Sequence, residues 1–321
     1  MKLGVLISLF SDKSFEETLD YVKEVGCEAV EIGVANYAKS PHCDLDELLA
    51  SPAKARKLKE AVIRRGLIIS ALSCHGNPLH PDKDIAEAHV AGQHKTIRLA
   101  EALGLKTINT FSGCPGGGPK DLTPNWVTCP WPDDFSKTVA WQWEEKVVPF
   151  WTKEVKFAAD HGVTQVALEM HPGFVVYNPE TLLKLRKEAG EIIGANFDPS
   201  HLFWQGIDPV QAVRKLGKAI YHTHAKDCRV DLANTSVNGV LDTKHYSDEA
   251  NRSWIFRTVG YGHAQDFWKD LVSALRMAGY DGVLSIEHED SLLSGREGFL
   301  KAVAFLKDVI LSEPPGAVWW A

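Results

Sequence analysis

This sequence of 321 residues lacks the features that mark membrane proteins and nucleic-acid-binding proteins. It has no apolar run of about 18 residues, the length that a membrane-spanning helix needs. It has no excess of positive charge either, because 35 Lys and Arg face 42 Asp and Glu, for a formal charge of −7. Binding to nucleic acid phosphates requires clustered cations. We therefore expect neither a membrane nor a nucleic acid as a partner.

The sequence also lacks a disulfide or zinc-finger framework. Its six cysteines form no Cys-x-x-Cys pair, and we expect reduced thiols. Cys114 and Cys129, 15 residues apart in an irregular segment, could form a disulfide only in an oxidising compartment. The first residues, MKLGVLISLF, resemble a secretion signal, but polar SDKS follows them instead of a small-residue cleavage site. We interpret them as a buried first strand and expect a cytoplasmic protein.

Short β-type runs alternate with amphipathic helical stretches along the whole chain. We predict strands near 2–9, 27–33, 67–74, 105–111, 163–170, 191–198, 218–224 and 281–287. We predict helices near 14–25, 52–65, 82–103, 136–161, 179–189, 208–217, 264–278 and 293–312. Eight β-then-α units imply parallel strands joined by helical crossovers. The simplest closure is a (β/α)8 TIM barrel forming one domain over 1–321, and a doubly wound open sheet is the alternative.

Two connections are longer than a barrel requires. They cover about 112–135, rich in Gly, Pro and Trp, and about 227–263. Each follows a predicted strand, so each should lie on the C-terminal face, where barrel enzymes have their active sites. Loops of this length in a compact domain are usually lids or binding loops.

Four consecutive predicted strands in the second half of the chain each end in a residue that can bind a divalent metal. The segments VALEMH, GANFDPSH, YHTHAKD and VLSIEHED contribute Glu169, Asp198, His224 and Glu287. Alternation along each strand points all four toward the barrel axis; Leu168 and Met170, for example, face the helices, so Glu169 points inward. Three buried carboxylates without a cation would be costly. A carboxylate and imidazole set suits one Mn²⁺, Co²⁺, Mg²⁺ or Zn²⁺ ion per chain.

These motifs resemble the xylose-isomerase-like barrel superfamily. The resemblance rests on Glu169, on Asp198-Pro-Ser-His201, on His222-Thr-His224-Ala-Lys226-Asp227 and on Glu287. It is strongest to the sugar phosphate isomerase/epimerase group, which includes ketose 3-epimerases, inosose dehydratases and relatives of endonuclease IV. The resemblance implies that His224 rather than His222 binds the metal, and that His201 contacts the substrate or a further metal.

The resemblance also implies a mechanism. In the ketose epimerases of this group the metal holds a carbonyl and a neighbouring hydroxyl of the sugar and stabilises an enediolate. Two glutamates exchange the carbon-bound proton on opposite faces of the substrate. Carried onto this chain, Glu169 and Glu287 are both metal ligands and the acid/base pair. The implied activity is that of a metal-dependent isomerase or epimerase acting on a keto sugar or a sugar derivative.

One departure from the epimerase pattern leaves a second hypothesis about the reaction open. The ketose 3-epimerases carry a further glutamate six residues beyond the strand-five ligand, and this chain has Val175 there. It has His171 instead, on the same face as Glu169. An inward histidine could be the base of a lyase, dehydratase or deglycosidase acting on a 3-keto sugar or inosose, or it could orient a ligand carboxylate.

The sequence also suggests substrate-binding residues and two alternative functions. The residues expected to contact the substrate are His201, His75, Glu31, Asn109, Lys226 and Arg229. An endonuclease-IV-like DNA repair enzyme would need a basic face, which the acidic composition disfavours. A non-catalytic sugar-binding barrel remains an alternative, since fold alone proves no activity. The terminal PPGAVWWA, with two exposed-looking tryptophans, suggests a subunit contact and hence a homo-oligomer.

Overall fold

Eight parallel strands form a closed barrel in this structure, a computed structural model that describes residues 1–38 and 41–320. Within the described residues the strands are, in chain order, β1 (Lys2–Leu6), β2 (Ala29–Gly33), β3 (Ile68–Ser73), β4 (Thr107–Thr110), β5 (Gln165–Glu169), β6 (Ile193–Phe197), β7 (Ile220–Ala225), β8 (Asp227–Val230), β9 (Trp254–Arg257) and β10 (Val283–Ile286). Strands β1 to β7 and β10 make the barrel, and β10 pairs with β1 to close it. The predicted TIM barrel is confirmed, and the open sheet is excluded.

Helices connect the strands and cover the barrel. They are α1 (Phe15–Glu24), α2 (Leu45–Ala50), α3 (Pro52–Ile63), α4 (Lys83–Leu103), α5 (Asp133–Trp141), α6 (Val148–Asp160), α7 (Pro179–Ala189), α8 (Ser200–Phe203), α9 (Pro209–Leu216), α10 (Leu232–Asn238), α11 (Gln265–Met277) and α12 (Gly295–Val309). Short 3₁₀ turns cover Ile7–Phe10 and Gly217–Ala219. A π-helical turn, Gln142–Val147, separates α5 from α6, so the single helix predicted over 136–161 has three segments. The sequence did not predict α2, α8 or α10.

The helix-start signals act as the sequence predicts. The Ser51 hydroxyl caps α3 by accepting the backbone N–H of Lys54, and the Asn178 side chain caps α7 by accepting that of Thr181. A proline follows each cap at the first helical position, where its missing N–H has no helical partner. These caps fix where the helices start, and thus how the amphipathic faces meet the barrel.

The core lies between the outer face of the barrel and the helices. Val166 and Leu168 of β5 are almost fully buried there, as are the indoles of Trp151 on α6 and Trp268 on α11. Strands covered on both faces are expected to be apolar along much of their length. Polar residues on the inner face therefore stand out as candidates for chemistry.

The insertion between β7 and α11 is an ordered wall rather than an open loop. Strands β8 and β9 form an antiparallel pair, and their apolar side chains pack with Trp204 in a small separate cluster. The buried Asp227 carboxylate joins the two ends of the insertion, because its Oδ2 accepts the backbone N–H groups of Gly260, Gly262 and His263 at 3.1, 3.0 and 2.9 Å. The other insertion, about 112–135, is irregular until α5 begins.

Other features bear on the remaining sequence predictions. Within 1–38 and 41–320, no helix combines the length and apolar character needed to cross a membrane. All six cysteines are free thiols; Cys114 is buried and Cys129 is exposed. Trp319 and Trp320 are 85% and 70% exposed. The subunit contact stays a prediction, and Ala321 lies outside the described residues.

We expect Gly194→Ala to destabilise the protein by about 1–3 kcal/mol, the usual cost of overpacking. A Cβ at Gly194 on β6 would lie 2.2 Å from Cδ2 of Tyr221 and 2.6 Å from the carbonyl oxygen of Ala219. Urea unfolding of the variant measures the effect. Gly118→Ala is the matched control, because its Cβ would meet nothing within 4 Å; equal stability of the two variants would contradict the prediction.

Candidate metal centre

Four acidic and imidazole side chains meet at the C-terminal end of the barrel. Glu169 is the last residue of β5, Asp198 and Glu287 directly follow β6 and β10, and His224 lies near the end of β7. One potential ligand atom from each lies within 4.8 Å of the ligand atoms of the other three. The structure thus brings together the four residues that the sequence predicts as metal ligands. Their role as ligands remains a proposal.

The His224 ring is central to this group. Its Nδ1 lies 3.3 Å from Oε2 of Glu169 and 3.1 Å from Oε2 of Glu287. Three further side chains lie close to Glu169: the Asn196 amide donates to Oε2 at 3.1 Å, His201 Nε2 lies 3.0 Å from Oε1, and His75 Nε2 lies 3.1 Å from Oε2. The Glu169 carboxylate is therefore held in one orientation from several sides.

Asp198 has the clearest unfilled bonding capacity in the group. Its Oδ1 accepts the backbone N–H of Ser200 at 2.8 Å. Its Oδ2 is buried and makes no hydrogen bond, although His201 Nε2 lies 3.4 Å away and Lys226 Nζ 3.7 Å away. A buried acceptor without a partner costs free energy. The space between the three carboxylates and the imidazole of this group therefore fits a divalent cation.

The charged groups of the site shift one another's pKa values. Burial opposes charge on His224, but Glu31, Glu287 and Glu169 raise the pKa of its imidazole well above the usual value. Burial raises the pKa of Asp198. Against the effect of burial, Lys226 and His224 lower the pKa of Glu287 to about 2. A protonated imidazole thus balances the carboxylates, and a divalent ion would supply that charge in its place.

The fully buried Glu31 carboxylate lies on the other side of His224. His224 Nε2 is 3.1 Å from both Glu31 oxygens, and the hydroxyls of Ser73 and Ser285 donate to them at 2.5 and 2.6 Å. Asn109 donates to Oε1 at 2.9 Å. Glu31 therefore fixes which way His224 points, as carboxylates do behind metal-binding histidines.

Four residues predicted to contact substrate, Glu31, Asn109, Arg229 and His201, do not line the cavity above the group. Glu31 and Asn109 are both fully buried, and each uses its side chain on other protein groups. Arg229 lies on β8 and donates to the carbonyl oxygen of Gly262 at 3.2 Å. Sequence alternation gave the direction of Glu31 and Asn109 correctly, but not their depth along the barrel axis.

A cavity of about 350 Å³ opens directly above the group. Its walls include Glu169, Glu287, His75, His171 and Lys226. Two predicted substrate contacts, His75 and Lys226, thus border it. His201 is not among its lining residues and contacts Glu169 instead. A small polar molecule in this cavity would touch both glutamates.

His171 stands at the edge of the cavity as a neutral imidazole. Its Nδ1 lies 2.6 Å from the carbonyl oxygen of Pro172, so the ring donates there and leaves Nε2 as an acceptor. Burial, with a contribution from His201, lowers the pKa of His171 to about 3. Val175, at the position of the missing glutamate, is buried, and its N–H donates to Gly113.

Sequence reasoning missed several residues of this region, among them Glu289 and Phe256. The Glu289 carboxylate lies 2.5 Å from Lys226 Nζ, and the same ammonium lies 4.3 Å from the ring centroid of Phe256. Glu289 is two positions after Glu287, so strand alternation could have indicated it. Phe256 had no such signal, because it reaches the site from the hairpin insertion.

Comparison with known proteins gives consistent matches. The family model described as xylose isomerase-like TIM barrel matches residues 19–309. An uncharacterized Bacillus subtilis protein, YfiH, is 40% identical over 312 residues, which are 97% of this chain and 99% of that protein. The inosose dehydratase of Geobacillus thermodenitrificans is 28% identical over 154 residues, 47% of this chain and 49% of that enzyme.

Solved structures share the fold at low sequence identity. The probable 3-DHS dehydratase AsbF of Bacillus anthracis aligns with a TM-score of 0.66 at 18% identity, covering 96% of this chain and 99% of that one. The 3-keto-D-glucoside 4-epimerase YcjR of E. coli aligns with a TM-score of 0.65 at 16% identity, with the same coverage. Structures at this identity establish the architecture that these chains share.

Proposed function

This chain belongs to the xylose isomerase-like TIM barrel family, and we propose that it is a divalent-metal-dependent isomerase or epimerase of a keto sugar or sugar derivative. The observation that carries the proposal is the group of Glu169, Asp198, His224 and Glu287 beneath a cavity of about 350 Å³. The unpartnered Oδ2 of Asp198 supports a cation there. Relatives and neighbours whose names denote sugar epimerases and dehydratases support a sugar-type substrate.

The protein groups have separate tasks in this proposal. A bound divalent ion supplies Lewis acidity toward a substrate carbonyl. Glu169 and Glu287 both border the cavity. Against the effect of burial, hydrogen bonds from neighbouring histidines lower the pKa of Glu169, and Lys226 and His224 lower the pKa of Glu287, so both carboxyls are ionised and able to accept a proton. One removes the proton from the carbon next to the carbonyl, and the other returns a proton from the opposite side.

Lys226 and His75 position the substrate. The Lys226 ammonium lies 3.1 Å from Glu287 and is almost fully buried, so it presents a fixed donor to a substrate oxygen. His75 Nε2 lies 3.1 Å from Glu169 Oε2 without a hydrogen bond to the protein, so it has bonding capacity left for a substrate hydroxyl group. Donors on both sides of the cavity suit a polyhydroxylated molecule.

A lyase or dehydratase is the second candidate, and His171 favours it. Its neutral ring borders the cavity next to Glu169 and keeps a free acceptor nitrogen. Such a base could remove a proton while a hydroxyl or an aglycone leaves from the next carbon. Position 175 holds Val and not the glutamate of the ketose 3-epimerases, which argues against a ketose 3-epimerase in the narrow sense.

Incubation with a panel of keto sugars and inososes in heavy water distinguishes these functions. An epimerase or isomerase incorporates solvent deuterium and conserves the rest of the substrate mass. A dehydratase yields a product lighter by one water, and a deglycosidase splits the molecule. With metal bound, absence of both deuterium uptake and product across the panel would contradict the proposal.

We expect Glu31→Ala to weaken divalent metal binding by about 10- to 100-fold, the usual effect of removing the group that orients a metal-binding histidine. Glu31 does not border the cavity, so its effect must pass through His224. Titration with Mn²⁺ followed by calorimetry measures the affinity. Glu31→Gln, which keeps an acceptor oxygen, should retain most of it, and unchanged affinity in Glu31→Ala would refute the positioning role.

A further inference from the structure

A second cavity adjoins the one above the candidate metal centre. It has a volume of about 510 Å³, larger than the first, and its lining consists of His171, Tyr246, Ile255, Phe256, Glu289 and Ser291. His171 and Glu289 border both cavities. The two spaces are therefore adjacent, with these side chains between them, and a molecule seated over the metal centre that passes these side chains would enter the second space.

Packing and hydrogen bonds hold the wall of the second cavity in place. Tyr246 stacks on Phe256 with ring centroids 5.8 Å apart and an angle of 20° between planes. The buried Arg252 guanidinium lies 4.4 Å from the Tyr246 ring and donates to the carbonyl oxygen of Trp254 at 3.1 Å. Phe256 in turn contacts His201 at 5.4 Å between centroids. Tyr246 is thus fixed relative to the metal centre while half of its surface stays exposed.

The chemistry of the lining is that of a sugar subsite. Tyr246 and Ile255 offer apolar surface, which suits the C–H face of a pyranose ring. Glu289 and Ser291 offer acceptors and a hydroxyl at its edge, where sugar hydroxyls lie. One oxygen of the Glu289 carboxylate lies 2.5 Å from Lys226 Nζ. An entirely apolar aglycone would offer this carboxylate no hydrogen-bond donor, whereas a sugar hydroxyl would.

We propose that the substrate is a glycoside of two sugar rings, with the reacting keto ring in the first cavity and a second pyranose ring against Tyr246. This inference rests on the proposed function for the identity of the first ring. It assigns His171 and Glu289 to the junction between the rings and Tyr246 to substrate selection. In this proposal the hairpin insertion contacts the part of the substrate that does not react.

Binding of unreactive sugar alcohols tests the subsite independently of activity. Calorimetry with saturating MnCl₂ compares a hexitol with a panel of glucosyl-hexitols of different linkage. We expect at least one disaccharide alcohol to bind roughly 10-fold more tightly than the hexitol, the discrimination that a modest apolar contact gives. In Tyr246→Ala this ratio should fall to about one, while Tyr246→Phe, which keeps the ring, should preserve it.

Two outcomes would overturn the inference. One is that no disaccharide alcohol binds more tightly than the hexitol; the other is that a phenyl hexoside binds more tightly than every disaccharide alcohol, which would assign the subsite to an aromatic aglycone. Thermal unfolding of Tyr246→Ala establishes that the variant is folded. Deuterium uptake decides the proposed function separately: uptake without a preference for the larger ligand would leave the function standing and remove the subsite.

Discussion

Glu287→Gln will lower the rate of solvent deuterium uptake into the substrate by about 100- to 10,000-fold, the contribution expected of a positioned acid/base group. The substitution preserves shape and a ligand oxygen but removes the proton acceptor. Mass spectrometry of the recovered substrate measures the rate. Full activity in this variant would end the assignment of Glu287 to proton transfer.

The design separates chemistry from metal loss and from folding. Elemental analysis of the same sample shows whether Glu287→Gln still binds metal. Glu154→Gln is the matched control, since Glu154 is a buried carboxylate outside the site that accepts from Gln93 at 2.7 Å. It should change stability and leave deuterium uptake intact.

With two bases on opposite faces, Glu169→Gln and Glu287→Gln should block proton removal from opposite epimers of the substrate.

His224→Gln will reduce the divalent metal content of the purified protein from about one ion per chain to a small fraction. Loss of a ligand should exceed the about 10- to 100-fold weakening caused by loss of a supporting group. Elemental analysis after gel filtration and Mn²⁺ titration provide the measurement. A metal-free parent protein that also failed to take up Mn²⁺, Co²⁺ or Zn²⁺ would remove the basis of the proposed function.

His222→Gln is the control for that experiment. His222 lies on the same strand and face, but it bonds to Asn196 at 2.9 Å and to Ser70 at 3.2 Å and lies on the Glu31 side of the site. We expect this variant to keep its metal. Equal loss in both variants would instead favour the alternative group of Glu31, His222 and His224 as the metal site.

Strand alternation predicted the direction of the site residues but not their depth. Glu169, Asp198, His224 and Glu287 converge as predicted, because in a parallel barrel every strand presents its C-terminal tip to the same opening. Glu31 alternates correctly too, yet it lies in the middle of β2, is fully buried and does not line the cavity. Depth depends on the stagger between strands, which a single sequence does not reveal.

The hairpin was missed for a different physical reason. Strands β8 and β9 have four residues each and are separated by more than twenty, so no short turn signal joins them. The alternation of Trp254 and Phe256 with Ile255 and Arg257 is visible in the sequence, but four residues are too few to indicate a strand by periodicity alone. Consequently the predicted site does not include Tyr246 and Phe256.

The carboxylate of Asp227 makes the insertion a self-contained module. Because one side chain clamps residues 260–263 to the end of β7, the barrel meets the same two fixed ends whatever lies between them. The entropy cost of closing a loop grows only slowly with its length. Exchange of the hairpin for a longer or shorter one would therefore leave these two ends in place while changing the wall that Tyr246 and Phe256 form.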